Sequence, residues 1–94
     1  MDYRITRIND DEGWIFISAE DSYESAESFV IMVKMIAQAV NGKISSAGET
    51  QYRISNISYD LIFQWDDLFG IVVIFKDAQE KHGVLNFLDN IGIK

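Results

Sequence analysis

The sequence predicts an α+β domain, a two-layer sandwich in which a largely antiparallel sheet of five or six strands carries two helices on one face. Three observations predict it. Two segments carry apolar residues at alternating spacings of three and four, each behind an acidic N-cap and ahead of a glycine. The other segments alternate or run apolar over strand-like lengths. Short turns rich in Asn, Asp and Gly join consecutive strands, which favours antiparallel neighbours. The predicted order is β-β-α-β-β-β-β-α, and periodicity leaves the strand order within the sheet open.

Tyr3 to Ile8 alternates polar and apolar side chains and reads as a half-buried strand. Asn9-Asp10-Asp11-Glu12-Gly13 is turn chemistry. Trp14-Ile15-Phe16-Ile17 is apolar in both phases, so it reads as a more interior strand paired with the first in a hairpin. A long helix follows over Ser22 to Val40, with Asp21 as N-cap, Glu24 completing a capping box and Gly42 as the left-handed terminator. Its core stripe is Tyr23, Ala26, Val30, Val33, Ala37 and Val40.

Lys43 to Ser46 reads as a short strand, with a turn at Gly48-Glu49. Tyr52 and Ile54 share one phase, and Ile57, Tyr59, Leu61, Phe63 and Trp65 share another, so a tight turn or bulge falls at Ser55-Asn56. Asp66 to Gly70 turns the chain into Ile71-Val72-Val73-Ile74-Phe75, a central strand. The second helix starts from Asp77 as N-cap, with Glu80 completing a capping box. Val84, Leu85, Leu88 and Ile91 give it a core face, and Gly92 ends it with Ile93 set against Leu88.

Ninety-four residues form one domain, because two independent cores of half that length would be too small. A hydrophobic fraction of 48% supplies that core. Cysteine is absent, which removes disulfides, thiolate metal sites and cysteine nucleophiles and fits a cytoplasmic location. Met1-Asp2-Tyr3-Arg4 leads straight into strand-like sequence, so no signal peptide is expected. Phe29 to Val40 is too short and too interrupted by Lys34 and Gln38 to span a bilayer.

The net charge is −7, and residues 1–28 hold −6 of it. Such a distribution disfavours nucleic-acid binding and would attract a basic protein, or it serves only to keep a small chain soluble. The search for chemistry yields no catalytic set. His82 is the one histidine and has no placed partner in the sequence. The glycines form no phosphate loop, and Gly83 stands mid-helix, either for close approach of a strand or because the helix starts later. Asp10-Asp11-Glu12 and Asp66-Asp67 occupy turns and lack the spacing of a calcium loop. No enzyme activity, cofactor or metal is predicted.

Two features exceed what folding needs. The first helix is apolar around about two thirds of its circumference, where a single contact face needs about one third. Beyond its core stripe it carries Phe29, Ile31, Met32, Met35 and Ile36, to be covered by the second helix, by a second copy of the chain or by another protein. The loop Trp65-Asp66-Asp67-Leu68-Phe69-Gly70 sets apolar side chains beside two acids. Phe69 either recognises a partner or folds back to finish the core.

The sequence therefore predicts a non-enzymatic protein-interaction module, self-associating or bound to another protein, with no nucleic-acid or membrane partner. Ile31, Met32, Met35, Asp66, Asp67, Leu68 and Phe69 are its candidate contact residues. Two alternatives stand beside it. One is an acidic inhibitor or immunity-type protein of a basic enzyme, acting through the N-terminal third. The other is a small-molecule binder with Trp14, Tyr23, Tyr52, Tyr59 and Trp65 lining a pocket.

Overall fold

The computed structural model describes residues 3–19 and 25–94. Its elements are β1 (Tyr3–Asn9), β2 (Trp14–Ala19), α1 (Ala26–Ala39), β3 (Lys43–Gly48), β4 (Gln51–Ser55), β5 (Asp60–Asp66), β6 (Gly70–Ile74) and α2 (Ala78–Asn90). This is the predicted order, with six strands in one antiparallel sheet. The strand order, which the sequence left open, is β1-β2-β6-β5-β4-β3. The chain passes from β2 through α1 to β3 at the far edge. It then returns strand by strand until β6 pairs with β2.

That closing seam is held by backbone. Phe75 N–H donates to the Gly13 carbonyl at 2.8 Å, and Gly13 N–H donates to Asn9 O at 3.0 Å. Gly13 has φ 75°, and a Cβ built there would stand 2.2 Å from the Phe75 carbonyl oxygen. Only glycine fits both the left-handed geometry and the close approach.

One phase of the strands makes the core. Ile15 and Ile17 of β2, Ile71 and Val73 of β6, Leu61 and Phe63 of β5 and Ile54 of β4 are buried together. Phe29, Met32, Val33, Ile36 and Ala37 of α1 join them, with Val84, Phe87 and Leu88 of α2. Both helices thus pack against the same strand phase, and the opposite phase faces away from them. α1 buries Phe29, Met32 and Ile36 beside Val33 and Ala37, whereas Ala26 of the expected stripe is exposed and Val30 and Val40 are only half-buried. Burying each of these larger side chains is worth about 1.5–3 kcal/mol.

β1 departs from simple alternation. The register shifts between Ile5, opposite Ile17, and Arg7, opposite Phe16. Thr6 and Arg7 are consecutive polar residues between apolar Ile5 and Ile8, and the bulge lets both isoleucines keep the core phase. It also aims Arg7 at the other face.

The first helix starts differently from the expectation. Its N-cap is Ser25, whose Oγ accepts from Ser28 N–H at 3.1 Å, while Ser28 Oγ accepts from Ser25 N–H at 2.8 Å. A second hydroxyl fills the role expected of a Glu. The predicted cap Asp21, its partner Glu24 and Tyr23 lie outside the described residues. The C-terminus is a correction too, since Asn41 and not Gly42 takes the left-handed position, at φ 57°. Gly42 N–H donates to Ala37 O at 2.8 Å and Asn41 N–H to Gln38 O at 3.3 Å, a Schellman pair. Gly42 is needed for space instead: a Cβ there would come within 2.8 Å of Ile54 Cγ2.

The second helix starts at the predicted Asp77 and ends at the predicted Gly92, but only the Asp77 half of the expected capping box is made. Asp77 Oδ1 accepts from Glu80 N–H at 2.8 Å. Gly92 has φ 88°, Ile93 N–H donates to Leu88 O at 2.8 Å, and both Ile93 and Leu88 are fully buried. Neither reading of Gly83 holds. The helix begins where Asp77 places it, and a Cβ on Gly83 would meet nothing within 4 Å.

Candidate interaction surfaces

The predicted contact residues divide into three groups. Met32 is 1% exposed and sits in the core, so it is not available at a surface. It lies about 100° round the helix from Ile31 and about 60° from Met35, and α1 buries the side that carries Phe29, Met32, Val33 and Ile36. Ile31 and Met35 remain 59% and 53% exposed, so α2 does not cover that flank.

The tip between β5 and β6 is built around Asp66. Its Oδ1 accepts from Leu68 N–H at 2.8 Å and from Phe69 N–H at 3.0 Å, which fixes the turn. Asp67 Oδ1 accepts from the Trp65 indole N–H at 3.2 Å. Both acids are occupied with their own loop. Leu68 is the most open of the tip side chains at 87% exposed.

Phe69 folds back, as one of its two readings required, but onto the opposite face of the sheet. Its ring lies edge-on to Trp14 at 6.0 Å and to Phe16 at 5.8 Å between centroids. Trp14 and Phe16 are themselves edge-to-face at 5.9 Å. The Arg7 guanidinium sits 5.1 Å from the centre of the Phe16 ring.

These contacts define a surface that the sequence reading did not single out. The register sets one row across the helix-free face as Arg7, Phe16, Val72, Gln64 and Gln51. The next row is Asn9, Trp14, Ile74, Ile62, Arg53 and Ser45. Phe16 is 7% exposed and Val72 fully buried, although neither belongs to the core shared with the helices. Trp14, Ile62 and Ile74 are half-buried. Gln51 Nε2 donates to Gln64 Oε1 at 2.7 Å beside them.

A sheet face without a helix layer is normally polar. Here it has an apolar centre, and all three arginines of the chain share its phase: Arg7, Arg53 and Arg4, which stands opposite Ser18. Arg53 Nε pairs with Asp60 at 3.1 Å, with both side chains substantially exposed. The signal for this face was present in two runs, Trp14 to Ile17 and Ile71 to Phe75, that are apolar in both phases. Such runs report two apolar faces but not what covers them.

The other candidates have structural employment. Tyr52 and Trp65 pack on Phe29 at 6.0 and 6.2 Å, and Tyr59 packs on Phe87 at 4.7 Å while its hydroxyl donates to Val40 O at 3.0 Å. Trp14 stands on the other side of the sheet, so these aromatics do not line a common pocket. Tyr23 lies outside the described residues. Asp10 is bonded to Lys81 Nζ at 2.7 Å, tying the first hairpin turn to α2, and Asn9 Oδ1 accepts from Glu12 N–H at 3.1 Å within that turn. His82 is exposed on α2. Among the described residues no three His, Asp or Glu side chains converge as a metal site would require.

No protein-family model matches the chain, and neither a curated protein nor a solved structure shows significant similarity to it.

Proposed function

We propose that the protein is a non-enzymatic protein-interaction module whose contact surface is the helix-free face of the sheet together with the β5–β6 tip. One observation carries the reading. Trp14, Phe16, Val72, Ile74 and Ile62 form a contiguous apolar centre on the face without helices, and half-exposed Phe69 and open Leu68 extend it to the edge. Aromatic anchors framed by polar and cationic side chains are the composition of protein contact sites.

Affinity capture from native lysate tests it with three baits: the unaltered chain, Leu68→Asp/Phe69→Asp and Ile31→Asp. A stoichiometric protein retained by the first and third baits and lost from the second is the expected result. Recovery of bait alone from all three would sink the proposal.

Self-association through α1 is a second reading, favoured by the exposure of Ile31 and Met35 on the outer side of that helix. Light scattering across micromolar concentrations decides it. A dimer split by Met35→Lys with the fold intact supports it, and a strict monomer removes it.

A further inference from the structure

The helix-free face gathers the arginines of an acidic chain, with Asp60 and Asp66 in the same phase. The net charge is −7, yet every arginine stands in the phase of this face, with Lys43 joining them opposite Ser55. Arg7 and Arg53 flank the apolar centre from either side. Arg7 lies on β1 and Arg53 on β4, four strand spacings apart, or about 19 Å. Between them lie Phe16 and Val72 in one row and Trp14, Ile74 and Ile62 in the next.

Strands that are apolar in both phases are ordinarily covered on both sides. A helix about 10 Å across fits between the two arginines, of which Arg53 would share its charge with Asp60 and Arg7 would reach out from the Phe16 ring. Resting on the interaction reading above, we propose that this face docks an acidic amphipathic helix of a partner protein. The helix lays its apolar stripe over Trp14, Ile74 and Ile62 and sets carboxylates against Arg7 and Arg53.

Other occupants fit less well. A second copy apposed face to face would set arginines against arginines across a two-fold axis. Single-stranded nucleic acid needs open aromatic faces for stacking, and Phe16 is closed by Trp14, Phe69 and Arg7. A polyanion would also meet Asp60, Asp66 and Asp67, which a helix with a few placed carboxylates avoids. Arg7 makes its contact with an aromatic ring, and among the described residues no carboxylate is paired with it.

The test is selection from a displayed library of helix-patterned peptides whose flank positions vary among Glu, Lys, Gln and Ala. Binding is then mapped by amide and Trp14 indole shifts on the labelled full chain. Enrichment of Glu at both flanks, shifts centred on Trp14, Ile62 and Phe69, and roughly tenfold weaker binding to Arg7→Glu/Arg53→Glu are expected. Lys at the peptide flanks should restore binding to that variant, which loss of folding would not allow. Enriched peptides that are neutral or basic yet bind this face would overturn the acidic assignment and leave the interaction reading standing. A homodimer that buries Trp14 would do the same. Peptides that map to Ile31 and Met35, oligouridylate binding at Trp14, or no enrichment at all would overturn both.

Discussion

Two glycines show how much a single missing Cβ decides. At Gly13 the backbone is left-handed and any added carbon would clash with the Phe75 carbonyl oxygen. Gly13→Ala should therefore destabilise the chain by about 2 kcal/mol or more, read as a lowered urea midpoint at unchanged slope. Gly83 is the opposite case, a helical glycine with open space around it. Gly83→Ala should raise stability by about 0.5–1 kcal/mol in the same experiment. The sequence shows both glycines equally, and only the packing separates them. Phe69 makes a related point. Its spacing from Trp14 and Phe16 along the chain says nothing of contact, because the pairing of β2 with β6 is what brings the three rings together.

At the level of elements, caps and terminators were the most legible signals. Asp77, Gly92 and Ile93 act where local rules place them, since each uses hydrogen bonds within a few residues. The start of α1 was not legible in this way, because its Ser25–Ser28 pair lacks the Glu or Gln that marks a capping box in sequence. Ser25→Ala should cost about 1 kcal/mol. Asn41→Gly should stabilise by a few tenths of a kcal/mol up to about 1 kcal/mol, because the left-handed position then carries no Cβ. Ile93→Ala removes a fully buried side chain from the end of α2 and should cost about 3 kcal/mol, with loss of amide protection in the last turn of that helix.

Across the whole molecule the sheet has two apolar faces of unequal status. One is sealed by α1 and α2, and the other is sealed only in part by Phe69, Trp14 and Arg7. Phe16→Ala should accordingly cost about 3 kcal/mol even though Phe16 lies outside the main core. Phe69→Ala should leave the unfolding midpoint nearly unchanged, and it should alter the Trp14 fluorescence spectrum. A large loss of stability from Phe69→Ala would mean that the tip serves the fold and not a contact surface.

The sequence by itself determined the class, the element order and most element ends. These depend on periods of two and 3.6 and on hydrogen bonds that reach three to five residues, all of which are written along the chain. It also announced that β2 and β6 are apolar on both sides. Tertiary structure alone decided that β2 and β6 are neighbours, that Met32 faces the core while Met35 faces out, and that the arginines gather beside an aromatic centre. The β2–β6 seam joins residues separated by the helix and three strands, and no local rule encodes so distant a pairing. The candidate surface is a product of that seam, so it became visible only when the sheet was closed.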